Sequence, residues 1–125
     1  MPLAPNDFKR IALSFPEAHE KLSYGAPAVF IAKRFFTRLR AEDDGIVLLL
    51  DSIDEREMLL EAAPDLYFMT DHFRNYPYVL ARLGHIDEPT LRARLDRIWR
   101  KIAPKKLVKQ HDAQGARASG AKAPG

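Results

Sequence analysis

Asp71 and His72 form the most suggestive pair for chemistry in this chain, because a carboxylate can orient an imidazole as a general base. Adjacent residues on extended chain point to opposite faces, however, so the pair does not imply an Asp–His hydrogen bond. The other histidines are His19, His85 and His111, and no two of the four have the H-x-x-x-H spacing of a metal site. Cysteine is absent, so there is no thiol nucleophile, no thiolate ligand and no disulfide framework. The six glycines are scattered, and neither G-x-G-x-x-G nor G-K-S/T occurs to cradle a phosphate. Asp51, Asp54, Glu55, Glu57 and Glu61 fall mostly on one expected helix and should be solvated. The residues predict no catalytic group, no metal and no cofactor: a binding module, not an enzyme.

The charge pattern says more. Residues 33–40 hold Lys33, Arg34, Arg38 and Arg40 with no acid, whereas Glu42 to Asp65 holds nine acids and one base, Arg56. Period-2 geometry puts Arg34, Phe36, Arg38 and Arg40 on one strand face, and Phe35, Thr37 and Leu39 on the other, core-facing side. Arginines pair with phosphates, and an aromatic can stack on an unpaired base. The same face also suits an acidic protein groove, or a homodimer contact with the 42–65 region.

These residues need elements to hold them. Asn6 suits an N-cap, and Phe8, Ile11, Ala12 and Phe15 follow at helical spacing, predicting a helix over 7–15. Residues 19–24 have room for a short strand ended by Gly25 and Pro27. Segments 28–32, 35–41 and 46–50 read as an antiparallel meander, with a turn at Lys33-Arg34 and another at 42–45, where Gly45 supplies a positive φ. Ser52 and Glu55 fit a capping box opening a helix over 53–62. Strands follow at 66–70 and 77–83, with the polar loop 71–76 between them. A last helix starts near Asp87–Pro89, buries the stripe Leu91, Leu95, Ile98, Trp99 and Ile102, and stops at Pro104. The predicted order is α-β-β-β-α-β-β-α: an α+β, two-layer sandwich with a five-stranded antiparallel sheet, one face covered by helices and the other open.

The chain has 125 residues and 46% hydrophobic content, enough for one domain with a real core. That domain is expected to span 1–110, with 111–125 a disordered basic tail lacking large apolar residues. The net charge of +3 belongs to this end. From Pro104 onward five bases face one acid, while 1–103 carries 15 bases and 16 acids. No apolar run is long enough to cross a bilayer, and the start lacks the pattern of a secretory signal, so no membrane partner is expected and the cytoplasm is the default location.

Two segments carry a family likeness: Ser23-Tyr24-Gly25-Ala26-Pro27-Ala28-Val29-Phe30 and Thr70-Asp71-His72-Phe73-Arg74-Asn75-Tyr76-Pro77. Arg38-Leu39-Arg40, Asp54-Glu55-Arg56-Glu57 and the ending 99–107 add to it. Over about residues 7–110 the chain resembles the MmcQ/YjbR family. The resemblance implies a two-layer fold like that of secretion chaperones, and a double-wing DNA-binding label in which the wings are β-hairpins. It brings no established enzymatic activity or cofactor. Carried onto this chain, one wing holds Lys33 and Arg34 with Arg38 and Arg40 on its return strand; the other runs through Asp71–Tyr76. Nonspecific DNA contact would then use Lys33, Arg34, Arg38 and Arg40 together with Lys105 and Lys106. The alternative is a protein-binding or chaperone-like module, or a homodimer, using the open sheet face. Gly25 and Pro27 could simply make a bend, and Asp71 could cap its own loop. If the two segments instead meet, Ser23, Tyr24, Asp71, His72 and Tyr76 would form a small polar cleft.

Overall fold

The computed structural model describes residues 2–23 and 25–122, the stretch 115–122 as backbone only. Along the chain lie α1 (Pro5–Leu13), β1 (Ala18–Ser23), β2 (Ala26–Ile31), β3 (Arg34–Thr37), β4 (Gly45–Leu49) and α2 (Ile53–Ala62). Then come β5 (Tyr67–Phe68), a 3₁₀ turn over Asp71–Phe73, β6 (Tyr78–Arg82), α3 (Glu88–Ile102) and α4 (Lys105–Lys122).

The helices start where side chains can satisfy their free N–H groups. In α1 the Asp7 carboxylate accepts from the Ala4 N–H at 2.8 Å, so the helix opens before Asn6, with Pro5 tolerated in its first turn. Ser52 Oγ accepts from the Glu55 N–H at 3.0 Å and opens α2 as expected. The Glu55 carboxylate reaches back to the Asp51 N–H at 3.0 Å, one residue before the usual capping-box partner. Asp87 caps α3 through the Thr90 N–H at 2.9 Å. The apolar stripe of α3 is buried along its whole length and leans on β3 and β4, while α1 covers β1 and touches α3. Phe8, Ile11, Phe36, Ile46, Leu48, Val79, Leu95 and Trp99 fill the space between helices and strands.

The strands do not form the expected five-stranded sheet. The described residues hold six, in two antiparallel sheets of three, ordered β1-β2-β3 and β4-β6-β5. One reason is that 18–23 is a full strand paired with β2 over six residues. The other is that β3 stops at Thr37, so β3 and β4 share only the bridge Leu39–Ile46 and its flanking bonds. Those are Val47 N–H to Arg38 C=O at 3.0 Å and Arg40 N–H to Gly45 C=O at 2.8 Å. The Thr37 hydroxyl, fully buried, crosses this seam to donate to Val47 C=O at 2.8 Å.

A bulge explains why β3 is short and why its faces depart from simple alternation. Phe30 pairs with Phe35 but Val29 pairs with Thr37, which leaves Phe36 as an extra residue. Alternation breaks there: Phe36 and Thr37 are both buried, and Phe35 turns to the opposite face. The predicted face of Arg34, Phe36, Arg38 and Arg40 is therefore corrected; Phe36 belongs to the core, where it meets Phe15 edge-on at 5.4 Å. The β2–β3 turn sits at Ala32-Lys33, one residue earlier than read, with Ala32 at φ 53°. In the 42–45 turn the positive φ falls on Asp44, at 54°, not on Gly45. Gly45 opens β4, where a Cβ would lie 2.8 Å from Phe68 Cζ and 3.1 Å from Leu80 Cδ2.

α4 occupies residues expected to be disordered beyond 110. It folds back on α3: the His111 ring meets Trp99 at 4.9 Å, and Asp112 accepts from Arg100 at 2.8 Å. Leu107 and Val108 rest against the core.

Candidate binding cleft

The two sheets meet at an open cleft of about 720 Å³ on the face of β3 turned away from α3. Its floor is aromatic because three alternation rules converge there. Phe30 comes from β2, Phe35 faces out because of the bulge, and Tyr78 opens β6. Phe73 arrives from the 3₁₀ turn. The rings form a continuous row: Phe30–Phe35 at 6.0 Å, Phe35–Tyr78 at 6.4 Å, Tyr78–Phe73 at 5.6 Å and Phe73–His72 at 4.8 Å. Ser23 and Ala26 close one rim, and Arg38 and Glu42 the other. Burial pushes the Tyr78 phenol above its ordinary pKa despite the opposing charge of Arg34, so it stays protonated and able to donate.

Buried Arg56 holds the far wall in place. From α2 its guanidinium donates to the carbonyls of Phe73 at 2.9 Å, Arg74 at 3.0 Å and Tyr76 at 2.8 Å. One side chain thus satisfies three loop carbonyls that strand pairing leaves free. Sequence reasoning noted Arg56 only as the single base in an acidic run. Nothing local marks its role, since a lone arginine among carboxylates on a helix reads equally well as an ordinary ion-pair partner.

The expected polar cleft is partly assembled. Ser23 and His72 line the same space, and Tyr24 lies outside the described residues. Asp71 turns to solvent and accepts from the Arg74 side chain at 2.8 Å; the turn has no side-chain cap, so Asp71 neither caps its own loop nor orients His72. Tyr76 is exposed and lies off the cleft.

The basic set divides in three. Lys33 and Arg34 are exposed at the β2–β3 hairpin, and Arg38 lines the cleft. Arg40 is turned inward, with its guanidinium 3.4 Å from both Glu42 and Asp43 and 5.8 Å from the Phe73 ring centre. Its Nε is buried without a partner. Arg40 thus joins the β3–β4 turn to the 3₁₀ turn and is spent on structure. Lys105 and Lys106 stand on α4, in the helical layer. The acids expected to be solvated are also largely paired: Asp51 accepts from Arg97 at 2.7 Å and Lys101 at 2.8 Å, and these partners hold its carboxyl below the usual range. Among the described residues, Lys21, Lys33, Arg34, Arg38, Arg82, Lys105, Lys106 and Lys109 have no carboxylate within ion-pair distance; Lys33, Arg34 and Arg38 are grouped at the hairpin and cleft, and the three lysines Lys105, Lys106 and Lys109 stand on α4. The described residues contain no cluster of three or more potential metal ligands. None of their helices is long and apolar enough to cross a membrane.

Fold and site together define an α+β domain in which two hairpins flank an aromatic cleft between short antiparallel sheets. The chain belongs to the YjbR family, whose model matches residues 13–101. It is also 34% identical over 70 residues to uncharacterized proteins of Mycobacterium tuberculosis and Mycobacterium bovis, a match covering 56% of this chain and 47% of each relative. The matched region thus spans about half the length of those relatives. No solved structure matches the chain.

Proposed function

We propose that this chain is a nucleic-acid-binding module, without catalytic activity of its own, that contacts phosphates nonspecifically through the β2–β3 hairpin. The observation that carries this reading is the grouping of unpaired cations. Lys33 and Arg34 sit exposed at the hairpin, and Arg38 follows them into the cleft. Exposed bases that find no intramolecular acid are available to displace counterions from a phosphate backbone. The family likeness points the same way through its double-wing label, and the β5–β6 hairpin forms the opposite wall. In this reading the protein acts in the cytoplasm, where it would meet DNA.

Duplex affinity measured by fluorescence anisotropy across a salt series tests the proposal. Wild-type binding should weaken as salt rises, and K33A/R34A should lower the log–log slope by about 2. An unchanged slope and affinity would remove the hairpin from the interface. One observation favours a second reading, a protein-binding or homodimer surface. Leu22 is 71% exposed on β1, an edge strand whose outer side is unpaired in its sheet. A concentration-dependent dimer in sedimentation velocity that Leu22→Lys abolishes, without DNA affinity, would favour that reading instead.

A further inference from the structure

We infer that the aromatic cleft takes unpaired bases, so that the module prefers single-stranded to duplex nucleic acid. The inference rests on the nucleic-acid reading above and adds the form of the ligand. Phosphate contact alone would need only the hairpin cations. It gives no role to the three half-buried aromatic rings, Phe35, Phe73 and Tyr78, that line the cleft beside them. No neighbouring pair in the row is stacked face to face: Phe30–Phe35 meet at 89°, Phe35–Tyr78 at 73° and Phe73–Tyr78 at 51°. Phe30 is buried, with His19 stacked on it at 25° and Lys21 Nζ 4.5 Å from its centre. The faces of Phe35, Phe73 and Tyr78, however, have no parallel aromatic neighbour among the described residues, and planar ligands can compete for them. Phe35, Phe73 and Tyr78 are only half-buried, so water now covers part of what a base would cover.

Charge fits the same occupant, because Glu42, the acid among the lining residues, is paired with Arg40 at 3.4 Å. Arg38 lines the cleft without an ion-pair partner among the described residues, and the hairpin cations continue from it. A strand whose phosphates run along these cations would place its bases over the rings, the arrangement by which aromatic grooves hold single strands. A duplex keeps its bases stacked inside and offers such a cleft only phosphates. The cleft volume of about 720 Å³ lies within the range of ligand sites, large enough for planar groups to enter without rearranging the sheets. Arg56 gives the arrangement its rigidity, because it fixes the turn that carries Phe73.

The test compares a labelled oligo-dT strand with a duplex of equal length, using the full chain and two variants, Phe35→Leu and Phe73→Leu. Leucine keeps most of the apolar volume but has no π-face. Circular dichroism and the melting temperature check that each variant folds, and either one suffices if the other does not. Wild type should bind the single strand at least tenfold more tightly than the duplex. Each substitution should cost about tenfold on the single strand, the loss of one stacked base, and leave the salt slope unchanged. Equal affinity for strand and duplex, or a preference surviving in the folded variants, would overturn the inference while leaving the hairpin proposal intact. Binding to neither would remove the nucleic-acid reading and the inference with it. An oligo-rU strand measured in parallel identifies the preferred sugar.

Discussion

Arg56 shows how one side chain sets the shape of a loop that strand pairing cannot. It is 2% exposed, and its guanidinium donates to three carbonyls of the 73–76 segment, two of which also accept a backbone N–H. Arg56→Met should leave those acceptors with no charged donor and cost about 3 kcal/mol in urea unfolding. Arg56→Lys should recover only part of this, since an ammonium lacks the planar fork that reaches several acceptors. Gly45 poses a different constraint. Its neighbours leave no room for a methyl, so Gly45→Ala should lower stability by about 1–3 kcal/mol through displacement of Phe68 and Leu80. The glycine was legible as turn chemistry, but its real reason, close approach by side chains of β5 and β6, cannot be read from local sequence. The same limit applied to Arg56, whose acceptors lie 17 to 20 residues away.

At the scale of elements, α3 was readable because its apolar residues keep one period over four turns, and burial follows that period. β3 was only partly so: Thr37 and Leu39 face the core as expected, but the bulge exchanges Phe35 and Phe36 between faces while leaving composition unchanged. The helices are joined in turn by charges whose partners lie far apart in sequence. Glu88 at the start of α3 accepts from Arg10 of α1 at 3.0 Å and from Arg92 at 2.8 Å. These bonds hold its carboxyl down from an ordinary 4.5 to about 2. A lowered carboxyl pKa contributes stability that is fully present above the unfolded value and is lost as pH falls through the folded one. The contribution should therefore persist above about pH 5 and fade from there towards pH 2. Urea midpoints of wild type and Glu88→Gln should differ at pH 7 and converge near pH 2. A constant gap across that range would assign the Glu88 effect to something other than its charge.

For the whole molecule, the arrangement of layers decides what the charges can do together. Sequence order suggested one basic surface made from the hairpin and the residues beginning at Lys105. The fold divides them. Phe36 points into the core beneath α3 and Phe35 to the cleft, so the cleft and its cations face away from the helices. α4 continues the helical layer, held to α3 through Trp99–His111 and Arg100–Asp112. A straight duplex docked on the hairpin runs along one side of the protein and leaves Lys105 and Lys106 facing elsewhere. Each phosphate neutralised on a duplex contributes about 0.9 to the salt slope, so the slope counts the cations that share one bound molecule. K33A/R34A should reduce it by about 2, whereas K105A/K106A should leave it within about 0.5 of wild type. Comparable losses from both variants would mean that the nucleic acid bends around the domain or that α4 leaves its place on α3. Limited proteolysis of the complex would separate the two, because a released α4 exposes Lys105 and Lys106 to trypsin and a bent ligand shields them.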